Sequence, residues 1–425
     1  MLQDKPFVVE NPQALFHQET FALTYPKEDI TTEDRIVGAI MGALIGDALG
    51  VGCHWYYEYN DLWENYGTWV SDYVDPNYVE GANSMTDEIS SYRYQAGVRA
   101  GMNSQTGQLI QVHLETIAKN ARKNGKGEFV NDEYITAINH FFDQELLPKA
   151  QFNTSEDVYE TEENGSTFRG NSSGIMCYSG RYTNREAREI FDYWYNNGAK
   201  GGEWWSDKHK VSNTSTSDGA QMGIILAGLY LNPKALFYKA YDMVRMWYSD
   251  PAFISQAVVY ILIVNGIINE KPLETLGKET IDVVIELDEL RHKICSYDDL
   301  QKPHKMADMV RKPQLFPFAD DRFAPSLFGP DCHIFHLLPA AYYYAYKYAH
   351  SFEKGILTAV NSGGNNMSRA ALTGGLLGAM GGIRAIPQRF INGLKNDKAA
   401  IPDGYANQGE YLMDLAKTVA KGKRV

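Results

Sequence analysis

The chain has 425 residues, of which 44% are apolar and 22% are charged, and its formal net charge at pH 7 is -13. A chain of this length can bury a large core, either as one domain or as two. The acidic balance disfavours nucleic acid or an anionic membrane as the main partner, because both carry negative charge.

Cysteine usage and apolar patterning narrow the class further. The four cysteines, Cys53, Cys177, Cys295 and Cys332, are far apart and form no C-x-x-C pair, which predicts neither a zinc site nor a disulfide scaffold. The N-terminus lacks the apolar stretch of a signal peptide. The apolar run Ala257–Ile268 contains Asn265 and is too short to cross a bilayer. We therefore expect a cytoplasmic protein that binds no nucleic acid and no membrane.

The first quarter of the chain predicts an arm, one helix and an irregular insertion. Residues 1–34 show weak periodicity and predict an N-terminal arm, although Thr31 and the acidic residues after it resemble a helix start. Arg35–Leu49 has helical spacing. Residues 51–103 are rich in Tyr, Asn, Asp and Gly without a sustained period, which predicts an irregular insertion or short helices.

Helical spacing dominates the remaining chain, and a second polar insertion is predicted at about residues 145–212. No segment shows the alternating pattern of a β-strand. We therefore predict an all-α fold with a single helical domain over residues 35–425. Its further helices are predicted at Gln108–Asn124, Asp132–Phe142, Arg185–Tyr195, Gln221–Tyr230, Pro233–Tyr248, Ala252–Ile268, Leu273–Leu290, Leu337–Ala349, Phe352–Asn361 and in the glycine-rich segment that ends at Gly382.

Two of the predicted helices carry a small residue at every fourth position, which places these residues in a stripe along one side. Each interior glycine costs roughly 1 kcal/mol of helix propensity relative to alanine, so we expect the two helices to pack closely along these stripes. The alternative is that each stripe packs against a bulky side chain of another helix. The stripes are Gly38, Gly42, Gly46 and Gly50 in the first helix, and Ala370, Gly374, Gly378 and Gly382 in the second.

Polar residues stand at the ends of these two helices. Asp47 lies near the end of the first, and Asn365, Asn366, Ser368 and Arg369 open the second. Buried polar atoms need hydrogen-bond partners, and a helix N-terminus suits a phosphate or carboxylate group. These residues therefore form a candidate site.

Four motifs resemble, in order and spacing, elements of the ADP-ribosylglycohydrolase superfamily. The resemblance runs from about Arg35 to Leu394 and implies an orthogonal multi-helix globule with two irregular insertions. It also implies a pair of Mg²⁺ ions, which active members hold between an early T-D-D-T motif and a late G-G-D-T-D-T motif. The four motifs are GALIGDALG from Gly42 to Gly50, SDGAQM from Ser217 to Met222, LPAA from Leu338 to Ala341, and AIPQRF from Ala385 to Phe390.

One branch of the superfamily is more similar than the others. The late motif GGNNMSRA, from Gly363 to Ala370, and the pair His54-Trp55 resemble the jellyfish J-crystallins and selenoprotein J. The same motif departs from the metal-binding form, because Asn365 and Met367 stand where the superfamily has aspartates.

The early motif lacks carboxylates in the same way. Aligned on the helix that follows it, Ser104-Gln105-Thr106 takes the place of its first residues. An alternative alignment uses Thr86-Asp87-Glu88, which keeps acidic residues but is followed by no apolar helix. Mg²⁺ prefers anionic oxygen ligands, so we predict no metal ligands and no cofactor, although the resemblance implies Mg²⁺.

Two acidic residues in the matching motifs, Asp47 and Asp218, are the candidate catalytic acid or base, because a shared pocket can shift a carboxyl pKa. His113 is expected among the polar positions of its helix, in a structural role. The residues predicted to bind a substrate are His54, Ser104, Gln105, Thr106, Asn365, Asn366, Ser368 and Arg369.

Three functions fit these residues. The first is an altered, metal-independent enzyme acting on a ribosyl, nucleoside-like or other small polar substrate. The second is a noncatalytic crystallin-like structural protein or a ligand-binding pseudoenzyme. The third is a metal-dependent ADP-ribosyl hydrolase. All but the purely structural role imply a small-molecule partner, and the sequence does not indicate an oligomeric state.

Overall fold

Helices account for the regular structure of the residues that the structure describes. The computed structural model describes residues 30–81, 84–95, 97–146, 190, 194, 216–271, 276, 297–312, 318, 320–395 and 401–424. Over these ranges the fold is all-α, as predicted, with no strand and two isolated β-bridges, Met102 to Lys395 and Tyr230 to Arg424. The predicted helices Arg185–Tyr195 and Leu273–Leu290, and the insertion at 145–212, lie almost wholly outside the described residues, and the division into arm and domain stays a prediction.

The described α-helices are numbered here in chain order. They are α1 Thr32–Val51, α2 Tyr59–Tyr66, α3 Met85–Gln95, α4 Gln105–Asn124, α5 Asn131–Phe141, α6 Asp218–Leu229, α7 Pro233–Trp247, α8 Pro251–Ile268, α9 Tyr297–Arg311, α10 Pro325–Phe328, α11 Ile334–Lys347, α12 Phe352–Val360, α13 Asn366–Gly381, α14 Gln388–Gly393 and α15 Gln408–Lys421. A π-helical turn, Phe142–Leu146, and two short 3-10 turns, Asp321–Phe323 and Ile383–Ala385, complete them.

Helix α1 begins where the sequence predicts a helix start. The Asp34 backbone N–H donates to Thr31 Oγ1 at 3.1 Å, and the Thr31 backbone N–H donates to Asp34 Oδ2 at 3.2 Å. This reciprocal cap satisfies donors that would otherwise lack a partner at the helix end.

The predicted insertion at 51–103 contains two helices, α2 and α3. The sequence predicts no apolar helix after Thr86-Asp87-Glu88. In the structure these three residues themselves lie inside a helix, α3. Ser84 explains the difference, because its Oγ accepts from the Asp87 N–H at 3.1 Å and donates to Asp87 Oδ2 at 2.8 Å. A side-chain cap of this kind starts a helix without an apolar stripe.

The two glycine stripes pack against each other, as the first interpretation predicts. Helices α1 and α13 run in opposite directions with their backbones in contact. A Cβ atom built on Gly42 would overlap the carbonyl oxygen of Gly374, and one built on Gly46 would overlap that of Ala370. Arg35 of α1 also forms hydrogen bonds with the end of α13, because its Nη1 donates to the carbonyls of Ala379 and Met380 at 3.1 and 2.7 Å. The glycines are therefore required for a close helix–helix approach.

Helix α8 is longer than the apolar run that predicts it. It begins at Pro251, after Asp250 accepts a hydrogen bond from the Ala252 N–H at 2.7 Å, and continues for 18 residues. By length and composition alone such a helix could cross a bilayer, contrary to the estimate from the shorter run. Because 78% of it is buried inside the molecule, as in a core helix, it is weak evidence for a membrane span.

Candidate functional site

Three helices begin near the C-terminal end of α1. Helix α13 starts there because it runs antiparallel to α1, so that Gly50 packs against Met367. Ser104, the N-cap of α4, bonds to Asp47 of α1, and Asp218, the first residue of α6, bonds to Thr106 of α4. Helix α8 lies beside α6 and runs in the same direction, because Gly223 stands opposite Ile261 and Asn265 Nδ2 donates to the Ala227 carbonyl at 2.9 Å. The positive ends of the α4, α6 and α13 helix dipoles therefore converge on one region.

Asp47 is fully buried at this convergence. Its Oδ2 accepts from the Ser104 backbone N–H at 2.8 Å and from Asn103 Nδ2 at 2.9 Å, and its Oδ1 accepts from Ser104 Oγ. Ser104 Oγ also accepts from the Gly107 N–H at 3.2 Å, which caps α4. Asp47 therefore fastens the start of α4 to α1.

Asp218 occupies the neighbouring position. Its Oδ1 accepts from Thr106 Oγ1 at 2.7 Å, and its Oδ2 accepts from Thr216 Oγ1 at 2.6 Å. The N-terminus of α4 thus links the two aspartates, one through Ser104 and the other through Thr106. We call Asp47, Asn103, Ser104, Thr106, Thr216 and Asp218 the polar layer.

Gln105 lies between the two linking residues of α4. Its side chain is fully buried, and neither its Nε2 nor its Oε1 has a hydrogen-bond partner among the described residues. The three residues of the early motif are thus all buried at the polar layer, and two of them bond to an aspartate. Thr86 and Asp87 of the alternative alignment lie elsewhere, because Thr86 Oγ1 donates to the Trp55 carbonyl at 3.0 Å and Asp87 caps α3.

The late motif is used for capping and packing. Asn365 is the N-cap of α13, and its Oδ1 accepts from the Ser368 N–H at 3.3 Å. The side chain of Met367 packs in a small apolar cluster with Val51 and Val98. Ser368 is nearly buried in the first turn of α13. Within the described part of the chain, no group of three or more His, Cys, Asp or Glu residues is arranged to hold a metal ion.

His54 and Asn366 bond to each other. Asn366 Nδ2 donates to the carbonyls of Cys53 and Val360, each at 3.1 Å. Its Oδ1 therefore accepts a hydrogen bond from the His54 Nδ1–H, at 3.1 Å. Burial, with a contribution from the Arg93 charge, holds the pKa of His54 well below its usual range, so the ring is neutral. Burial also raises the pKa of the Cys53 thiol to about 12, which leaves it protonated and poorly nucleophilic.

Arg369 is directed toward the backbone at the end of α12. It is fully buried, and its Nη1 donates to the Gly363 carbonyl at 2.9 Å and to the Ala359 carbonyl at 3.4 Å. A guanidinium group at a helix C-terminus is favoured by the helix dipole. The predicted substrate-binding roles of His54, Asn366 and Arg369 stay predictions, although all three side chains bond within the protein.

Sequence reasoning missed two members of the polar layer and misplaced one histidine. Asn103 precedes the N-cap of α4 and Thr216 lies two residues before Asp218, so their positions beside matching motifs could have indicated them. His113 does not lie at a polar surface position. It is fully buried, its Nδ1 donates to the Met222 carbonyl at 3.2 Å, and its ring packs between Phe129 and Tyr134.

Comparisons with known proteins agree with this architecture. The family model described as ADP-ribosylglycohydrolase matches residues 28–424. An uncharacterized protein of Archaeoglobus fulgidus is 32% identical over 110 residues, which are 26% of this chain and 33% of that protein, so the match spans about a third of the relative's length.

A solved structure described as an ADP-ribosylglycohydrolase-related protein complex is similar in fold. It superposes with a TM-score of 0.52 at 15% identity and covers 92% of this chain and 99% of its own. At that identity the likeness concerns the fold alone, whereas the family model extends over nearly the whole sequence. The chain belongs to the ADP-ribosylglycohydrolase family.

Proposed function

We propose that this chain is a metal-independent member of its family, acting at the polar layer on a ribosyl, nucleoside-like or other small polar substrate. One observation carries the proposal. Asn365 and Met367, at the positions of the late-motif aspartates, cap a helix and pack in an apolar cluster, whereas the carboxyl groups of Asp47 and Asp218 are retained beside the start of α4.

The residues present do not fit a pair of Mg²⁺ ions. Asp47 oxygens accept from an N–H, an amide and a hydroxyl group, which stand where cations would have to approach. Asn365 Oδ1 is used as a helix cap, and the Met367 thioether is a poor ligand for a hard cation. We therefore assign no step of the reaction to a metal.

Asp218 is the residue that we propose as the acid–base group. Two threonine hydroxyls orient its carboxyl group at the start of α6, and a carboxyl held in a fixed direction can exchange a proton with a substrate placed beside it. Asp47 is better suited to a positioning role, because it lies deeper and fastens α4 to α1.

A noncatalytic role is the second candidate. The complete burial of Asp47 among donors from the protein itself favours a structural or ligand-binding descendant, and the GGNNMSRA motif favours the J-crystallin branch for either candidate. For both we propose a cytoplasmic protein without nucleic-acid or membrane partners, supported by the net charge of -13 and the burial of α8.

The test is release of ADP-ribose from ADP-ribosylated arginine and serine peptides, with and without EDTA. We expect release that persists in EDTA and is lost in Asp218→Asn, while Asp403→Asn, at an exposed loop position, releases ADP-ribose at the wild-type rate. Release that requires added Mg²⁺ would support the metal-dependent hydrolase instead. No release and no binding of ADP-ribose would reject the ribosyl substrate.

A further inference from the structure

Helix α6 begins without a side-chain cap from its own N-cap residue. Ser217 occupies that position, but its side chain makes no capping bond, and its Oγ accepts instead from Gln221 Nε2 at 3.0 Å. The first N–H groups of a helix have no acceptor within the helix, and a buried donor left without one costs stability. The start of α6, which carries Asp218, therefore needs an acceptor from another element.

Tyr248, at the C-terminal end of α7, supplies such an acceptor. Its side chain is buried, and its Oη accepts from the Gly219 backbone N–H at 2.9 Å. The same hydroxyl group donates to the Thr216 carbonyl at 2.8 Å. A phenolic hydroxyl can donate and accept at the same time. One oxygen atom of Tyr248 thus holds a backbone group on each side of Asp218.

These contacts lead directly to the carboxyl group of Asp218. Thr216, whose carbonyl accepts from Tyr248, donates through its own Oγ1 to Asp218 Oδ2 at 2.6 Å. The other carboxyl oxygen, Oδ1, accepts from Thr106 Oγ1 at 2.7 Å. A displacement of Thr216, or a rotation of the first turn of α6, would therefore move this carboxyl group relative to α4.

The position of the Tyr248 ring is itself fixed. A Cβ atom built on Gly219 would lie 2.5 Å from Tyr248 Cε2 and 3.3 Å from its Cζ, so the ring packs directly on the backbone of α6. The preceding residue adds a second link, because Trp247 Nε1 donates to Tyr134 Oη at 2.9 Å and that hydroxyl donates to Met222 Sδ at 3.4 Å. The end of α7 is therefore joined to α6 at two successive turns.

We propose that Tyr248 is a positioning residue for Asp218. Its hydroxyl group caps α6 and fixes Thr216, and through both contacts it holds the Asp218 carboxyl group in the direction that proton transfer requires. The inference rests on the proposed function for the role of Asp218 as the acid–base group, whereas the capping contact does not depend on it. Because Tyr248 acts through Asp218, its hydroxyl should affect turnover more than substrate binding.

Tyr248→Phe keeps the ring and removes the hydroxyl group. For release of ADP-ribose from ADP-ribosylated peptides, we expect kcat to fall at least about tenfold, because a misplaced catalytic group slows the reaction. KM should stay within about twofold of the wild-type value, since no substrate contact is lost.

The matched control is Tyr230→Phe. It also removes a buried tyrosine hydroxyl that accepts a backbone N–H, that of Phe129 at 2.9 Å, but at the C-terminal end of α6. Both variants should unfold at a similar temperature, slightly below that of the wild type, because each loses a buried hydrogen bond. Tyr230→Phe should nevertheless keep the wild-type kcat, which separates positioning from a general loss of stability.

Hydrogen exchange of the full chain, followed by mass spectrometry, tests the capping contact independently of activity. The Gly219 amide should exchange about tenfold faster in Tyr248→Phe, since it loses its acceptor, and at the wild-type rate in Tyr230→Phe. Unchanged Gly219 exchange, an unchanged kcat in Tyr248→Phe, or an equal fall of kcat in both variants would overturn the inference while leaving the proposed enzyme intact. Faster exchange in a protein that releases no ADP-ribose would support the cap but reject the proposed enzyme, and with it the positioning role.

Discussion

At the residue scale, the two aspartates of the polar layer differ in what they can do. Asp47 accepts hydrogen bonds from Asn103 and Ser104, so it joins α1 to the start of α4. Asp218 is held by two hydroxyl groups, which orient its carboxyl group at the start of α6. These contacts are the basis on which we propose positioning for the first and proton transfer for the second.

Buried neutral histidines predict acid sensitivity. Burial lowers the pKa of His113 from 6.5 to about 4. Below about pH 6.5 the unfolded chain therefore binds more protons than the folded one, and the free energy of unfolding decreases as the pH is lowered. At about 1.36 kcal/mol per pKa unit, the loss reaches about 3 kcal/mol once the pH is below about 4. His113→Phe keeps a ring between Phe129 and Tyr134 and should remove this part of the loss.

Urea unfolding at about pH 7 and about pH 4.5 measures this loss of unfolding free energy. The free energy of unfolding should fall less between these pH values in His113→Phe than in the wild type, by about 2–3 kcal/mol. His54 titrates in the same direction, so some acid sensitivity will remain in the variant. An equal fall in both proteins would contradict a buried neutral His113.

At the element scale, the antiparallel pair α1 and α13 determines where the site forms. Their backbones touch along the glycine stripes, which fixes the end of α1 beside the start of α13. Side chains at the stripe positions would push the helices apart and displace the polar layer from the late motif. The glycines therefore fix the position of the candidate site through packing.

Gly42→Ala tests this packing. A Cβ on Gly42 would overlap the Gly374 backbone, so we expect the free energy of unfolding to fall by about 3 kcal/mol or more, even though alanine favours a helix. The control is Gly266→Ala in α8, where the new methyl group meets only side-chain atoms, mainly the end of Leu276. The free energy of unfolding of that variant should lie within about 1 kcal/mol of the wild-type value. Similar losses of unfolding free energy in Gly42→Ala and Gly266→Ala would argue against backbone contact between α1 and α13.

At the scale of the whole molecule, periodicity was sufficient to predict most of the fold. Apolar spacing and capping residues located α1, α4, α7, α8 and α12 within a few residues, because these helices bury a regular stripe and carry local start signals. Helix α3 was not specified in this way, since it begins through the Ser84–Asp87 cap and lacks an apolar stripe. Local sequence alone does not identify a helix of that kind.

The polar layer was less predictable than the fold. Motif matching indicated Asp47, Ser104, Thr106 and Asp218, but not that α4 joins the two aspartates, because that contact depends on tertiary packing.

The central claim is that the family fold and the place of its site are kept without the pair of Mg²⁺ ions. The most direct measurement is the metal content of the protein, by mass spectrometry, after incubation with excess Mg²⁺ or Mn²⁺ and rapid desalting. Because neither motif offers a set of anionic ligands, we predict far less than one ion per chain, and the same value in Asp218→Asn as in the wild type. About two ions per chain, lost in Asp218→Asn, would contradict the account.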